Sequence, residues 1–593
     1  MASLLSFEQA LAQDLIDALW LESLYDFPDH CRFVDGPGQA SDLVIALGDA
    51  EALRWRGTRA DGLRPFRVSH ALPEWSTAKG ETAVTLREAV GRLQDASWWT
   101  DDQGRFKHFF DLAYQQAESI ASREPAIVER LWKTPQAMLG WEILSCLKDR
   151  PFHPLAFAKD WSRKTIDGKV NDFSPFMPIA MQSFELRWIA VPRDRMQGNA
   201  DSGQGPAETL LSRLQFATLR QIAEKKHLQN EDWLWLPVHP WQWRWLHSEK
   251  SSFFDECVDM EVTCGSATST ASLRSLIVEG VGDAHVKLGL SVNTLGAVRT
   301  LPPRYLHNAV LASVCLQSLR QRDEWLSAHM QLCDENSWWA YTSEPPDVAS
   351  LISSQGELAC LLRKYPELPG TVLIPMAAFP VRVQDGSLPA FDYLLGDNAN
   401  QEEAWTLFRD IVQLLVELGL RCLSYGVMPE LHGQNLVLIC RGREMQGLLL
   451  RDHDTLRICP SLMQAHGVNP PSYAIDRTTP NTLELGTTQE LLAYFQTLVL
   501  EVNLYAILAA LAQKYQCPES YGWQIMADVL SESLERISFP ADVGDEVRHL
   551  LLEAEEWPFK QVLAPLLKRK DFGTGMPSMM GWIHNPLRIN VEA

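Results

Sequence analysis

Three features of the sequence predict an α+β fold in several domains. The chain has 593 residues, enough for two to four domains that each bury their own core. Its composition is that of an ordinary folded protein, 46% apolar and 22% charged, so no long segment needs to be assigned to disorder. Its patterning changes twice, near residues 165 and 388. A helical region (1–165), a mixed-β region with an antiparallel sheet (166–388) and a mostly helical region (389–593) are therefore expected.

In the first region, amphipathic runs at 6–24 and 106–133 predict helices and little else. In the second, 186–191 and 286–294 read as strands. Along the latter, Val286, Leu288, Leu290 and Val292 alternate with Lys287, Gly289, Ser291 and Asn293, so one face is core and the other carries a cation. The Gly/Pro-rich stretch 198–206 reads as a mobile loop. In the third region, 404–418 is an apolar helix for which Gly419 supplies a C-cap. Thr487 and Glu490 form a capping box ahead of a helix over 487–513. Its apolar part, 491–512, carries Glu501 and Asn503, which suits a buried helix better than a membrane span.

Charge and cysteine usage narrow the class. A formal charge of −22 argues against nucleic acid, whose phosphates need a concentrated basic surface. An acidic surface serves solubility, or attracts cationic small molecules. The N-terminus lacks the basic and apolar regions of a signal peptide. Eleven cysteines, odd in number and without a CxxC pair, read as reduced, mostly buried thiols in a cytoplasmic protein, with neither a zinc site nor a disulfide framework.

The densest chemistry is in Glu430-Leu-His-Gly-Gln-Asn435, followed seventeen residues after Asn435 by Asp452. Apolar runs at 436–439 and 448–450, separated by a turn through Gly442 and Gly447, predict a β-hairpin. An antiparallel hairpin sets the start of its first strand beside the end of its second, so Asn435 and Asp452 should be neighbours, with His432 and Glu430 just upstream. An Asn and an Asp so placed form a hard-oxygen site for Mg²⁺ and nucleotide phosphates, as in kinase-like enzymes.

A second cluster spans 270–299. Ser272 and Arg274 share a face if Thr270-Ala-Ser-Leu-Arg-Ser275 is extended, and Lys287 and Arg299-Thr300 follow. Arg supplies a planar fork for phosphate or carboxylate and Lys a point charge. The alternative is three solvated charges on a strand face. Five tryptophans at odd positions between Trp233 and Trp245 suggest packing on one apolar face, with His239-Pro240 structural. His153-Pro154, with Lys159 and Arg163, is a basic turn. There is no GxxxxGK[ST], and Gly280-Val-Gly282 lacks a third glycine, so phosphate binding would have to use side chains.

Together these segments resemble the siderophore synthetases that act independently of nonribosomal peptide synthetases, the aerobactin-synthetase (IucA/IucC-like) family. The resemblance covers most of the chain in the family's order. It includes His153-Pro154 with Lys159, Leu236-Pro-Val-His-Pro-Trp-Gln242, Thr270-Ala-Ser-Leu-Arg-Ser275, Lys287 with Arg299-Thr300, Glu430-Leu-His-Gly-Gln-Asn435, Arg451-Asp452 and Asn585-Pro-Leu587. It implies a thumb, fingers and palm architecture with a distantly kinase-like palm. It also implies ATP-dependent condensation of citrate or a citrate derivative with an amine or alcohol, through an acyl adenylate, releasing pyrophosphate and AMP.

Carried over by position, His153, Ser272, Arg274, Ser275 and Lys287 would hold the ATP phosphates. Arg299, with Thr300, would bridge substrate carboxylate and nucleotide, and His432 would hydrogen-bond the acid. Gln434, Asn435 and Asp452 would organise ATP and Mg²⁺, the last two as metal ligands, with Glu430 in support. Two departures stand out. Ser275 replaces the family's usual Thr, and Asp149-Arg-Pro151 stands where a first His-Pro often occurs. Family members are often dimers, and no residue pattern here argues for a homodimer independently.

The residue chemistry agrees with adenylation. A carboxylate with a pKa near ~4 is already ionised and needs no base to attack phosphorus. It needs neutralisation between two anions, which Arg299, Arg274, Lys287 and Mg²⁺ would provide. Glu430 or His432 would then take a proton from the amine. Two other readings remain open at this point. One is a kinase-like phosphotransferase releasing ADP, because Glu430 precedes Asn435 by the spacing of catalytic Asp and metal-binding Asn in the kinase loop. The other is a nucleotide- or citrate-binding regulator.

Overall fold

The computed structural model describes residues 2–588, apart from 38–39, 49, 61, 101–103, 162–164, 167–168, 171–172, 199–203, 230, 250, 282–283, 397–398, 480–481, 541 and 571–572. Arg163, Gly282 and most of the 198–206 loop lie outside the described residues.

The first region is not largely helical. Its expected helices are present as Ala2–Leu21 and Arg105–Lys133, but a six-stranded antiparallel sheet occupies much of the sequence between them. The strands Ala40–Gly48 and Glu51–Arg59 bury Leu43, Ile45, Leu53 and Trp55 against Leu11, Leu15 and Leu19 of the first helix, and against Phe106 and Phe110 of the second. The period-two signal is visible in Leu53-Arg-Trp55-Arg-Gly57. It is overwhelmed locally by the continuous apolar run 43–47, which fits a buried strand or a buried helix equally well.

The central region matches expectation as an eight-stranded sheet in which every neighbouring pair is antiparallel. Ser183–Pro192 lies near one edge, and Ala284–Leu288 lies inside, between Ser275–Val278 and Ala359–Lys364. The strand expected over 286–294 is two strands. At Gly289 the chain leaves the large sheet, and Leu290–Thr294 joins a separate sheet with Ala297–Arg299 and Lys159–Asp160. A Cβ on Gly289 would lie 2.4 Å from the Gly356 carbonyl oxygen, so only glycine permits this crossing. The break separates Lys287 and Arg299 into different sheets, both part of one wall of the site.

The predicted hairpin forms as Leu436–Arg441 and Glu444–Leu450, with Leu436 opposite Leu450. Its sheet also takes Met330–Leu332 and Thr371–Pro375 from before residue 389. The buried core around it is continuous from Ile120 to Ile583.

The helix at 404–418 does not stop at Gly419. It runs Gln401–Ser424, capped by Asn400, and Gly419 serves packing. A Cβ there would sit 2.4 Å from the Phe495 ring. Gly419→Ala should therefore destabilise the protein, although alanine favours helix by about 1 kcal/mol, because overpacking a buried contact costs about 1–3 kcal/mol. Urea unfolding checks this, and a raised midpoint would show that Phe495 yields freely.

The capping box of Thr487 and Glu490 is present. The helix it opens runs Thr488–Tyr515 and includes a π-helical stretch, Gln496–Leu504. It is the one helix among the described residues long and apolar enough to cross a membrane, and 83% of its most apolar window is buried inside the protein. All eleven cysteines are free, eight of them buried.

Candidate active site

The hairpin places Asn435 and Asp452 as expected. The Arg451 N–H donates to the Asn435 carbonyl at 3.1 Å, and the Asn435 amide donates to Glu430 at 3.3 Å. Thr455 also donates to Glu430 at 3.0 Å, and Arg457 lies 3.6 Å from it. Burial pushes the Glu430 carboxyl up, but His432, Arg457 and Lys560 outweigh it and hold it at about 2. Glu430 is thus ionised at neutral pH.

Asp452 adopts a left-handed backbone conformation, φ 60°. Aspartate tolerates this better than most residues. Its side chain is ion-paired from the opposite wall by Lys287, and by Arg363 at 2.6 Å. Arg363 also reaches Glu335 at 2.5 Å, while Glu335 accepts the backbone N–H groups of Asp452 and His453 at 3.0 and 3.2 Å. Burial raises the Asp452 carboxyl, yet Arg363 and Lys287 draw it well below the usual range. Both cations engage one oxygen, Oδ1, which leaves Oδ2, together with Asn435 Oδ1, as the hard donors that a Mg²⁺ would use. Two such donors plus phosphate oxygens match the sparse protein ligation that Mg²⁺ prefers. No group of three or more His, Cys, Asp or Glu able to hold a metal alone occurs among the described residues.

The second cluster is arranged differently from the expected strand face. Residues 270–274 form the turn between Val258–Ser269 and Ser275–Val278, and Leu273 has φ 64°. Ser272 and Arg274 are therefore not two residues apart on one strand. Ser272 Oγ accepts the Ser275 N–H at 3.1 Å, and Arg274 donates to the Thr300 carbonyl. Ser275 Oγ and Thr300 Oγ1 are buried without a partner among the described residues. Lys287, far from being a solvated charge, is 4% exposed.

Arg274 and Arg299 are half-buried and close enough that Arg274 depresses the ionisation of Arg299. Burial and that neighbour bring Arg299 down to about 10. Arg299 donates to Thr294 Oγ1. Among the described residues, no carboxylate lies within 4.0 Å of either guanidinium. Two adjacent, partly desolvated cations with no ion-paired carboxylate among the described residues, and only more distant ones such as Asp452 and Glu430 acting on them, offer a place for an anion.

Histidines 153, 239 and 432 share one local design. In each, Nδ1 accepts the backbone N–H two residues on, from Leu155, Trp241 and Gln434 at 3.1, 3.1 and 3.2 Å. The ring proton is thereby placed on Nε2. Burial lowers the pKa of all three, His153 well below its ordinary value and His239 to about 3. They are neutral donors. His432 Nε2 lies 3.7 Å from Glu430, beyond hydrogen-bond distance, so in this tautomer its proton is available to a substrate carboxylate. His153 Nε2 is a buried donor without a partner among the described residues. His239 is enclosed by Phe176 and Phe184, consistent with the structural role expected. The tryptophans near it do not share a face, because a strand, Trp233–Val238, gives way to a helix, Pro240–Ser248. Asn585 closes a turn onto the Leu551 and Ala554 carbonyls and is structural.

Several site residues were not anticipated. Arg363, Glu335, Asp454, Arg150 and Lys560 join the cluster from separate elements. Burial, opposed by Lys287 and assisted by Asp452, raises Asp454 to about 6; burial, with Arg457 and Arg150, lowers Lys560 to about 8. Behind them, Arg451 holds Glu142 at 2.5 Å and the Gln434 carbonyl at 2.8 Å, which fixes the hairpin loop. Arg363 carried one available signal, a charge inside the apolar strand Ala359–Lys364.

Comparison with known proteins decides the family. Residues 138–380 match the model of the IucA / IucC family, and 405–571 that of the ferric iron reductase FhuF-like transporter. The chain is 34% identical to staphyloferrin B synthase of Staphylococcus aureus over 596 residues, 97% of each chain. The chain belongs to the IucA/IucC family. It is a ligase of siderophore biosynthesis. Among more distant relatives, the D-ornithine–citrate ligase of the same organism is 23% identical, covering 54% of this chain and 52% of its own. Two solved structures share the fold. The petrobactin biosynthesis protein AsbB of Bacillus anthracis superposes with a TM-score of 0.78 at 15% identity, covering 100% of this chain and 97% of its own. ATP-bound aerobactin synthetase IucA of Klebsiella pneumoniae gives 0.70 at 18%, covering 98% and 99%.

Proposed function

We propose that this ligase adenylates a carboxylic acid, citrate or a citrate derivative, and condenses it with an amine or alcohol, releasing pyrophosphate and AMP. The observation that carries this reading is the pair Arg274 and Arg299, without an ion-paired carboxylate among the described residues, near the Asn435–Asp452 hairpin. Citrate in the name of the D-ornithine–citrate relative and ATP in the IucA structure support the choice of substrates.

In this reading the 270–299 wall binds phosphates through Arg274, Lys287, Ser272 and Ser275, with His153 donating from Nε2. Arg299 and Thr300 lie where two anions meet, so Arg299 lowers the repulsion between carboxylate and α-phosphate. His432, neutral and protonated on Nε2, orients the acid. The carboxylate oxygen bonds to the α-phosphorus, the bond to the bridging oxygen breaks, and pyrophosphate leaves. The amine or hydroxyl then attacks the acyl carbon and AMP leaves. Asn435 and Asp452 would hold Mg²⁺, which supplies charge neutralisation on the phosphates; Gln434 and Glu430 keep this loop in place. The thumb, fingers and palm division (1–165, 166–388, 389–593), a homodimer and a cytoplasmic location belong to the same proposal.

The test is product identity. With ATP, Mg²⁺, citrate or a citryl amide, and hydroxylamine, the expected products are pyrophosphate, AMP and a hydroxamate. ADP in their place would overturn adenylation and favour the kinase-like alternative.

A further inference from the structure

The 149–153 turn brings three groups to the site, and its backbone is unfavourable at two of its residues. Asp149 and Phe152 have φ of 50° and 61°, the left-handed region that non-glycine residues rarely occupy. Asp149 binds Lys159 at 2.7 Å, Arg150 lies beside Glu430 and His432, and His153 presents its unpartnered Nε2. Such a conformation persists only where surrounding structure over-determines it.

What encloses Phe152 comes from both ends of the chain. The Arg64 guanidinium lies over the Phe152 ring, 4.3 Å from its centroid, and Tyr505 packs against the same ring at 5.1 Å. The Asp14 carboxyl lies near the Phe152 backbone N–H. Arg64 is 4% exposed and anchored three ways, to Asp17 at 2.8 Å, to Tyr505 Oη at 2.9 Å and to Glu519 at 3.5 Å. Tyr505 in turn donates to Glu519 at 2.8 Å. Arg67 also binds Glu519, and donates to Tyr505 Oη at a longer 3.4 Å, but its guanidinium does not lie over the Phe152 ring. The N-terminal helix, the segment before the Phe66–Val68 strand and two C-terminal helices thus converge on one strained residue.

We propose that Arg64, acting through Phe152, is a positioning residue that holds the 149–153 turn in the form that aims Arg150 and His153 at the nucleotide. The inference rests on the ATP-dependent reading above. Arg64 touches neither substrate; its effect is transmitted by the cation–π contact and by the fixed Phe152 backbone.

The test uses the full-length chain with MgATP, measuring ATP affinity by calorimetry, pyrophosphate release by turnover, and thermal unfolding. Arg64→Ala should weaken ATP binding and lower turnover by roughly 10²-fold, the scale on which a displacement of about 1 Å acts. Arg64→Lys, which keeps the charge on Asp17, should restore part of both. Phe152→Gly accepts the left-handed backbone without strain, so it should fold even if Arg64→Ala does not, and it should show the same loss of ATP affinity. Arg67→Ala should bind ATP as the unmodified chain does. Unchanged affinity in Phe152→Gly, or an equal loss in Arg67→Ala, would overturn the positioning role. Failure of the unmodified chain to bind ATP would instead remove the functional reading, and this inference with it.

Discussion

Arg299→Ala is expected to cripple adenylate formation, with a loss of at least about 10²–10³-fold, the scale of removing one preorganised donor from an acyl-transfer site. The fold should be unaffected or slightly stabilised. Arg299 has no carboxylate partner among the described residues and is depressed by Arg274, so removing it relieves like-charge repulsion. A residue that costs stability without substrate and is essential with it fits a functional site better than a structural one. Pyrophosphate release and urea unfolding, measured together, test both halves. Retained activity would take Arg299 out of the site, and a large loss of stability would show that its main role is structural.

Asp452→Asn is expected to have the opposite balance, losing both activity and stability. Asparagine preserves the shape and the left-handed backbone, so the change removes mainly charge. Lys287, 4% exposed, then has no carboxylate within ion-pair distance among the described residues, and leaving a buried charge unpaired costs about 3–5 kcal/mol. Arg363 retains Glu335 and is less affected. The double variant Lys287→Met, Asp452→Asn should recover much of that stability, because removing both partners of a buried pair is far less costly than removing one. It should remain inactive. An Asp452→Asn protein as stable as the original would mean that the Lys287 ion pair contributes little.

The hairpin was legible because both of its signals are local. Two apolar runs and a glycine-bearing turn fix the register, and the register fixes the neighbours of Asn435 and Asp452. The capping box at Thr487 is equally local. The N-terminal sheet escaped because the run 43–47 has no period, and only its packing against the first helix decides that it is a strand. Gly419 misled for a related reason. A glycine after an apolar helix is a common stop, and the ring of Phe495, 76 residues away in sequence, is what requires it. The split at Gly289 likewise depends on a carbonyl contributed by a distant loop.

The sequence by itself determined which chemical groups this ligase has for the proposed reaction. The arginines, the lysine, the histidines and the Asn–Asp hairpin are all present in the order that their motifs announce. Only the tertiary structure decided which of those charges are already satisfied. Lys287 and Arg363 are neutralised by Asp452 and Glu335, Glu430 is held as an anion, and His153 and His432 are fixed as neutral donors. Arg274 and Arg299, side by side on one wall, have no carboxylate within ion-pair distance among the described residues. Coulomb energies and desolvation depend on distances between residues that are hundreds of positions apart, and those distances exist only after the chain has folded.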